Sequence, residues 1–506
     1  MSVNRLPALA RRAQEFPRRI AIVEGSTVCT YAGLSRRAAA VAGELLADRL
    51  DLEEGRVALL APPGAGYVAG QWGTWMAGGV SVPLSPQQTA AEWEYILDDS
   101  RAGAAVVAPE YADAFGPLAA SRHLRVVPAG AALAEPQPGG AGRPGLPDVG
   151  PARRALMLYT SGTTSRPKGV VLTHGNLTAQ VECLTDAWAW TQDDRALHVL
   201  PLNHTHGVVN ILACALWNGA VCEFAGRFDA AQVWQRLASG EITVFMAVPT
   251  IYTRLIAAWR DAPPEVRDAW SRGAARLRLF VSGSAALPVP VLEAWRAITG
   301  HTLLERYGMT EIGMALSNPL RGERRPGSVG TPLPGVEVRL VNEAGGEAAD
   351  GEPGELLVRG PGVFREYWAR PEATAAAFLD GGWFRTGDVA SREHGAFRIL
   401  GRLSVDIIKT GGEKVSALEV EAVLRAHPDI ADCAVVGLPD PEWGECVAAV
   451  VALRGQATLT LSGLRDWARV RLSGPKLPRR LVTVPAMPRN SMGKVVKPEL
   501  IQLFEA

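Results

Sequence analysis

The sequence predicts an α/β fold with a large N-terminal body of parallel sheets covered by helices, a β-rich subdomain, and a small α+β C-terminal domain. Three observations support this prediction. Short apolar runs alternate with amphipathic helical patterns, the texture becomes strand-rich from Val336 onward, and a capped helix followed by a strand comes after Gly401-Arg402. A chain of 506 residues also exceeds the size at which one hydrophobic core keeps growing. We therefore expect a large domain over residues 1–400 and a small one over residues 401–506.

The first segment contains five arginines (Arg5, Arg11, Arg12, Arg18 and Arg19), which faintly suggests a transit peptide. Glu15 interrupts the basic segment, and the apolar run Ile20-Ala21-Ile22-Val23 is typical of a strand. We therefore interpret this segment as the first helix of the fold and expect a cytoplasmic protein, or one of the mitochondrial matrix if the source is eukaryotic.

The uncharged interval from Val57 to Ala91 is long enough to cross a bilayer, but several glycines and prolines interrupt it. We predict a strand over Val57–Ala61, a buried helix, and a second strand over Val80–Leu84. A membrane span is not expected.

Five further apolar runs predict strands of the parallel sheets: Ala104–Ala108, Leu197–Leu200, Ala220–Phe224, Val244–Val248 and Leu277–Val281. Ligands of such sheets bind at the carboxyl ends of the strands, so we expect the functional residues in the loops that follow them. A Gly/Pro-rich connection over residues 136–151 separates two subdomains.

In the later part of the chain, sequence signals predict several strands, two turns and one capped helix. Strands are predicted over Val336–Val341, Glu355–Val358, Phe397–Leu400 and Cys433–Leu438, with turns at Gly345-Gly346 and Gly381-Gly382. Ser416 and Glu419 have the spacing of a capping box, which predicts a helix that reaches about His427.

Charge and cysteine content narrow the classes of partner. Lys plus Arg and Asp plus Glu are both 52, and the sequence pI is about 7.1, so bulk charge does not favour nucleic acid or anionic membranes. The six cysteines form no CxxC pair and no metal-ligand spacing with the eight histidines. We expect small-molecule partners in a reducing compartment, whereas composition leaves open whether the protein is a monomer or a homodimer.

The segment Tyr159–Gly169, with the sequence YTSGTTSRPKG, combines hydroxyls, glycines and a lysine in the manner of a loop that wraps polyphosphate. Glycine lets backbone amides approach phosphate oxygens, Ser and Thr add donors, and Lys168 adds a positive charge. The usual P-loop pattern is not met, because Pro167 and Gly169 stand at two of its positions. A polar surface loop is the alternative on this segment alone.

Further motifs follow in a fixed order: Gly283-Ser284-Ala285, Glu305–Glu311, Thr386-Gly387-Asp388, Gly401-Arg402, Gly411–Lys414 and Pro488–Lys494. With the Tyr159–Gly169 loop, this set resembles the adenylate-forming superfamily of acyl-CoA synthetases, peptide-synthetase adenylation domains and luciferases over nearly the whole chain. The resemblance implies the adenylate-forming fold, with Glu305–Glu311 as a loop after a strand over His301–Leu304. It also implies ATP and CoA as cosubstrates and Mg²⁺ as cofactor.

The resemblance implies that a carboxylate attacks the α-phosphorus of ATP and that a thiol then displaces AMP. Lys494 would bridge carboxylate and phosphate, Glu311 would hold Mg²⁺ beside Thr310, and Asp388 would accept the ribose hydroxyls near Arg402. Tyr307 would stack on adenine, with a buried core tyrosine as the alternative. The implied ATP-binding residues are Thr160, Ser161, Gly162, Thr163, Thr164, Lys168, Gly283, Ser284, Ala285, Glu305, Tyr307, Gly308, Asp388 and Arg402, and the implied CoA-binding residues are Gly411, Gly412 and Lys414. Residues 401–406 would be the hinge about which the small domain rotates.

Two arginines bear on the identity of the acid. Arg254 and Arg306 stand at expected pocket positions, and a buried guanidinium usually implies an anionic guest, which favours a dicarboxylate such as malonate. The segments Pro201–Asn210, Val281–Pro288 and Leu304–Pro319 resemble malonyl-CoA synthetases of the mitochondrial type. That resemblance implies malonate contacts by Arg254, Arg306, Ser284 and His206, with Thr205 and Met314 beside the methylene carbon. A helix-surface salt bridge is the alternative role for Arg254.

Two positions depart from the family pattern: Ser165 stands where glycine is common, and Glu413 stands where malonyl-CoA synthetases often have an aromatic residue. We expect an ATP-dependent malonate:CoA ligase with some activity on methylmalonate. The alternatives are an adenylating ligase for another small acid or for loading a carrier protein, and a non-catalytic nucleotide-binding regulator.

Overall fold

A computed structural model of the chain describes residues 6–129, 145–160, 167–411, 413–489 and 495–504. Its α-helices are α1 Ala8–Arg12, α2 Tyr31–Leu46, α3 Ala65–Met76, α4 Ala90–Ser100, α5 Ala112–Ser121, α6 His174–Trp188, α7 Cys214–Trp217, α8 Ala230–Ala238, α9 Pro249–Asp261, α10 Pro264–Ala274, α11 Val289–Thr299, α12 Pro371–Ala377, α13 Ala417–Leu424, α14 Leu461–Ala468 and α15 Lys497–Gln502. A π-helix covers His206–Ala213, and short 3₁₀-helices cover Ala13–Glu15, Pro109–Tyr111 and Gly474–Lys476.

The strands, in chain order, are β1 Ile20–Glu24, β2 Thr27–Thr30, β3 Arg56–Leu60, β4 Val80–Pro83, β5 Ala104–Val107, β6 Arg125–Pro128, β7 Arg154–Thr160, β8 Lys168–Thr173, β9 Arg195–His198, β10 Val221–Phe224, β11 Val244–Ala247, β12 Leu279–Ser282, β13 Leu304–Met309, β14 Gly313–Ser317, β15 Thr331–Pro332, β16 Glu337–Val341, β17 Gly354–Arg359, β18 Glu366–Tyr367, β19 Phe378–Leu379, β20 Trp383–Glu393, β21 Ala396–Arg402, β22 Ile407–Thr410, β23 Glu413–Ser416, β24 Ile430–Asp440, β25 Gly444–Leu453 and β26 Arg480–Thr483.

Two largely parallel sheets form the N-terminal body, as the sequence predicts. One has the strand order β15-β14-β13-β12-β11-β9-β10-β1-β2, and the other has the order β18-β8-β7-β4-β3-β5-β6. Helix α3 is buried along almost its whole length and packs on α2 at Gly73, where an added Cβ would lie 2.6 Å from the Val41 Cβ. The α/β class is thus confirmed, and the strands predicted between Val57 and Val281 are present within about two residues of their expected bounds.

Two smaller sheets follow. The sheet β16-β17-β20-β19, with β21 paired to β20, is the predicted β-rich part, and β23-β22-β25-β24, with β26 paired to β25, belongs to the C-terminal part. The main core includes residues up to Phe397, whereas separate apolar clusters begin at Ile408 and at Ala434. These separate cores support a domain boundary near residue 401, which stays a prediction.

The expected first helix is confirmed as the five residues of α1, followed by a 3₁₀ turn. Three details of the sequence prediction were wrong. Glu305–Met309 belong to strand β13, whereas the strand was expected to end at Leu304. Helix α13 ends at Leu424 instead of near His427. Its capping box is half formed, because Ser416 accepts a hydrogen bond from the Glu419 amide while the Glu419 carboxylate pairs with Lys476.

Within the described ranges, no helix is both long and apolar enough to cross a bilayer. All six cysteines are free.

Candidate active site

Strand β13 places consecutive side chains on opposite sides of the sheet. It runs parallel to β12, with Ser282 opposite Glu305, and antiparallel to β14, with Tyr307 opposite Leu316. Because side chains alternate along a strand, Arg306 faces one way and Tyr307 faces the other. The two residues therefore belong to two different halves of one site.

The Arg306 side chain is buried, with 3% of its surface exposed, and it lies against the backbone of Gly283. A Cβ at position 283 would lie 2.5 Å from the guanidinium carbon, so only glycine leaves room for this arginine. Its Nε and Nη2 atoms have no hydrogen-bond partner among the residues that the structure describes. Burial lowers the pKa of Arg306 to about 9. A buried guanidinium of this kind is a receptor for an anion that can accept two hydrogen bonds.

His206 lies near this guanidinium and contacts Ser284, and Thr205 directly precedes His206 in the chain. The π-helix begins at His206, whose Nδ1 lies 3.3 Å from the Ser284 Oγ. Burial, followed by the charge of Arg306, lowers the pKa of His206 well below its ordinary value, so the ring is neutral and can donate or accept a hydrogen bond. The His206 Nε2 and the Thr205 Oγ1 are buried without a partner in the described part of the chain. Ser284 has a φ of 69°, a left-handed conformation that is rare outside glycine and often marks a functional site.

Met314 lies on β14, and Glu305 lies on β13 on the face opposite Arg306. Gln180 accepts a hydrogen bond from the Met314 amide at 2.6 Å, and a Cβ at Gly308 would meet the Met314 side chain. The Glu305 Oε1 accepts a hydrogen bond from the Leu287 amide at 3.0 Å. Burial raises the pKa of Glu305 to about 7, because desolvation disfavours the carboxylate.

On the other face of β13, the Tyr307 hydroxyl donates a hydrogen bond to a carboxylate oxygen of Asp388. The second Asp388 oxygen lies 2.9 Å from Arg402 Nε, and the Asp388 amide donates to the Thr386 Oγ1 at 3.0 Å. Burial and the Asp388 charge raise the pKa of Tyr307, which therefore stays protonated. An open cleft of about 460 Å³ adjoins this group and is lined in part by Thr386, Gly387, Arg402 and Ser404. A buried carboxylate at such a cleft suits a ligand with vicinal hydroxyls.

Glu311, Tyr367 and Lys168 form a third group. The Tyr367 hydroxyl donates to Glu311 Oε1 at 3.0 Å, and the Lys168 Nζ lies 5.2 Å from the centre of the same ring. Burial raises the pKa of Glu311, although its own backbone amide, the Tyr367 hydroxyl and the charge of Arg402 each act in the opposite direction. Among the described residues, no cluster of three or more His, Cys, Asp or Glu side chains could cage a metal. A single buried carboxylate instead fits Mg²⁺ that takes its other ligands from phosphates and water.

The loop predicted to hold phosphates closes a hairpin. Thr160 at the end of β7 pairs with Lys168 at the start of β8, so the two ends of the loop lie side by side. Ser161, Gly162, Thr163, Thr164 and the departure Ser165 fall outside the described residues, as do Gly412 and Lys494.

Other predicted residues make contacts of their own. Arg254 is exposed on α9 with its guanidinium 6.0 Å from the centre of the Phe228 ring, and its contact with malonate stays a prediction. Lys414 pairs with Glu343 at 2.6 Å, and the Gly411 amide donates to the Trp443 carbonyl at 2.9 Å. Ala285, Thr310 and Glu413 are exposed or partly exposed.

Sequence reasoning missed two features of the site. Tyr367 was not singled out, although its place opposite Val170 in β18 carries it to Glu311 and Lys168. Gly283 was expected among the ATP-binding residues, but its role in making room for Arg306 was not foreseen. A glycine directly before a small polar residue at the end of a strand is a signal of close approach that could have indicated the second feature.

Comparisons with known proteins agree with this geometry. Residues 9–368 match the family of AMP-binding enzymes, and residues 419–494 match the AMP-binding enzyme C-terminal domain. The mitochondrial malonate–CoA ligase of Mus musculus is 49% identical over 97% of this chain and 89% of its own length. The malonate–CoA ligase of Arabidopsis thaliana is 41% identical over 90% of this chain and 79% of its own length.

Two solved structures cover nearly the whole chain. ATP-bound MatB from Rhodopseudomonas palustris is 35% identical and superposes with a TM-score of 0.89, over 100% of this chain and 99% of that one. A malonyl-CoA ligase in a ternary product complex with methylmalonyl-CoA and AMP is 38% identical, but its TM-score is 0.66, over 94% and 97% of the two chains.

Proposed function

The chain belongs to the family of AMP-binding enzymes, and from this premise we propose that it is an ATP-dependent malonate:CoA ligase. Malonate and ATP give malonyl-AMP and pyrophosphate, and the thiol of CoA then displaces AMP to give malonyl-CoA. The malonate ligases at 49% and 41% identity support this function.

The observation that carries the choice of acid is the buried guanidinium of Arg306. Its Nε and Nη2 atoms lack partners within the described ranges, and a buried cation that is left unpaired is costly. The distal carboxylate of malonate supplies the missing charge and two acceptors, whereas acetate or a fatty acid supplies neither. We propose that His206, Thr205 and Ser284 complete this half of the pocket, with Met314 beside the methylene carbon.

We propose that Asp388 accepts the ribose hydroxyls, with Tyr307 and Arg402 holding its carboxylate in place. The reacting carboxylate of malonate lies toward the phosphates, where Lys168 and Lys494 neutralise the charge that develops on their oxygens. Glu311 would hold Mg²⁺, which when bound polarises the phosphate oxygens and neutralises their charge.

The second half-reaction requires CoA to reach the adenylate. We propose that the C-terminal unit turns about residues 401–406 and presents Gly411, Gly412 and Lys414 to CoA. The Lys414–Glu343 pair is partly exposed and therefore weak, so it does not oppose such a turn. We also propose that the enzyme acts in the cytoplasm, or in the mitochondrial matrix if the source is eukaryotic.

The test is pyrophosphate release by the purified protein with ATP, Mg²⁺ and CoA over a panel of malonate, methylmalonate, succinate, acetate, benzoate and a fatty acid. We expect malonate to be the best substrate, with methylmalonate within about 10- to 200-fold, because one methyl group changes binding by about 1 to 3 kcal/mol. A preference for benzoate or a fatty acid would refute the malonate assignment. Transfer to a carrier protein instead of CoA would favour the carrier-loading alternative, and no pyrophosphate release with any acid would favour a non-catalytic regulator.

A further inference from the structure

Lys497 is a buried cation that the proposed reaction does not use. It begins α15, and 11% of its side chain is exposed. Its Nζ lies 2.5 Å from Asp406 and 3.1 Å from Glu421, and it donates to the Val435 carbonyl at 2.9 Å. Burial alone would lower the pKa of Lys497, but Glu421 and Asp406 raise it above its ordinary value, so the ammonium stays charged.

Asp406 connects this cation to the nucleotide half of the site. One Asp406 oxygen pairs with Lys497, and the other accepts the Arg402 backbone amide at 2.9 Å. The side chain of Arg402 in turn holds Asp388 at 2.9 Å. A continuous chain of polar contacts therefore runs from the proposed ribose carboxylate through the hinge segment 401–406 to the start of α15.

Glu421 has two further polar partners besides Lys497. Its Oε1 accepts the Val435 amide at 3.0 Å, and its Oε2 lies 2.8 Å from Arg425. A buried ion pair of this kind adds little stability relative to apolar residues of the same size, and its best-established role is to fix geometry. The contact that matters for the site is thus the one between Lys497 and Asp406.

We propose that Lys497 is a positioning residue for the adenylation step: its ion pair with Asp406 holds the C-terminal unit in register with Arg402 and Asp388. The inference rests on the proposed function, which assigns Lys494 to the charge that develops on the phosphate oxygens. Lys494 stands three residues before Lys497 and is therefore within about 11 Å of it along the chain. Superposition supports a role in adenylation rather than in thioester formation. The chain matches ATP-bound MatB with a TM-score of 0.89, whereas it matches the product complex with 0.66, although the product complex has the higher sequence identity.

The test separates the two half-reactions in Lys497→Met. Malonate-dependent ATP–pyrophosphate exchange measures adenylation, and AMP release from synthetic malonyl-AMP with CoA measures thioester formation. We expect kcat for adenylation to fall about 100-fold, the effect of a misplacement of about 1 Å, with KM for ATP and malonate unchanged. Thioester formation should keep the wild-type rate, and Lys497→Arg should restore most of the lost exchange.

The matched control is Lys476→Met, which removes another lysine ion pair to α13, that with Glu419 at 2.7 Å. This variant should retain both half-reactions. If Lys497→Met does not fold, Asp406→Asn tests the same contact, because Lys497 keeps Glu421 as its partner; it should show the same selective loss. Equal losses in both half-reactions, or full exchange activity in either variant, would overturn the inference. A wild-type protein that does not adenylate malonate would instead refute the proposed function.

Discussion

Replacing Arg306 by methionine should weaken the binding of malonate and should also stabilise the ligand-free protein against unfolding. The side chain is buried at 3% exposure, and its Nε and Nη2 have no partner within the described part of the chain. Methionine fills a similar volume without a charge. The two effects have opposite signs because a bound anion supplies acceptors for Nε and Nη2 that the described residues do not.

The loss of malonate binding can be estimated from two charge-assisted hydrogen bonds. Each contributes about 1.5 to 3 kcal/mol, so Arg306→Met should cost about 3 to 6 kcal/mol. At 1.36 kcal/mol per factor of ten, kcat/KM for malonate should fall about 150- to 25,000-fold. The KM for ATP should not change, because Arg306 and Tyr307 face opposite sides of β13.

The gain in stability follows from the pKa of the same group. Burial lowers the pKa of Arg306 from 12.5 to about 9, which corresponds to a penalty on the order of 5 kcal/mol for the charged form. The unfolded chain binds more protons than the folded chain between these two values, so stability increases as pH rises from about 9 to 12.5 and the penalty is complete below 9. At pH 7.5 we expect Arg306→Met to be about 1 to 4 kcal/mol more stable than the wild type without ligand.

The assay is denaturant unfolding with and without malonate, together with steady-state kinetics for both substrates. Malonate should stabilise the wild type but not the variant. Arg324→Met is the control, because its guanidinium donates to the carbonyls of Thr302, Pro319 and Leu320. It should destabilise the protein and leave malonate kinetics unchanged. An Arg306→Met protein that is less stable than the wild type, or that loses ATP and malonate equally, would refute this reasoning.

Three further outcomes can be measured. Gly283→Ala should reduce malonate-dependent exchange and spare ATP binding by itself, because the new Cβ would lie 2.5 Å from the Arg306 guanidinium carbon; unchanged exchange would mean that the guanidinium can move aside. Asp388→Asn should raise the KM for ATP by about 10- to 150-fold through loss of a charged acceptor for the ribose and for Arg402, and an equal rise for malonate would place Asp388 elsewhere. Glu305→Gln should be up to about 3 kcal/mol more stable than the wild type at pH 8, because the raised pKa of about 7 means that wild-type stability falls as pH rises from 4.5 to about 7. Unfolding at pH 5 and pH 8 tests this, and parallel changes in both proteins would contradict it.

Local pattern was sufficient to predict most of the fold. Runs such as Val244–Val248 are short, apolar and flanked by helical patterns, so their structure depends mainly on nearby residues. The strand over Glu305–Met309 was not predicted, because the segment is polar and its strand structure depends on pairing with β12 and β14. Pairing between distant segments overrides local propensity, and a single sequence does not report it.

The candidate site was predictable to the extent that its motifs were. The motifs predicted that Arg306, His206 and Ser284 share one part of the site, and the structure brings them together. The Ser284 Oγ lies 3.3 Å from the His206 Nδ1. Arg254 was also expected there; it is exposed on α9, and its contact with malonate stays a prediction. Tyr367 escaped notice because an aromatic residue in a β-rich run is most often part of a core.

The two-sided strand β13 has a consequence for how specificity can change. On β13, recognition of the acid and recognition of the nucleotide share a backbone but no side-chain atoms. Selection or design can therefore change the acid that position 306 recognises while Tyr307 keeps its contact with Asp388. Substitutions on the Arg306 side should therefore yield ligases for new acids that remain faithful to ATP. A one-residue insertion ahead of Glu305 would do the opposite, since it would turn both side chains to the wrong sides and abolish both specificities together.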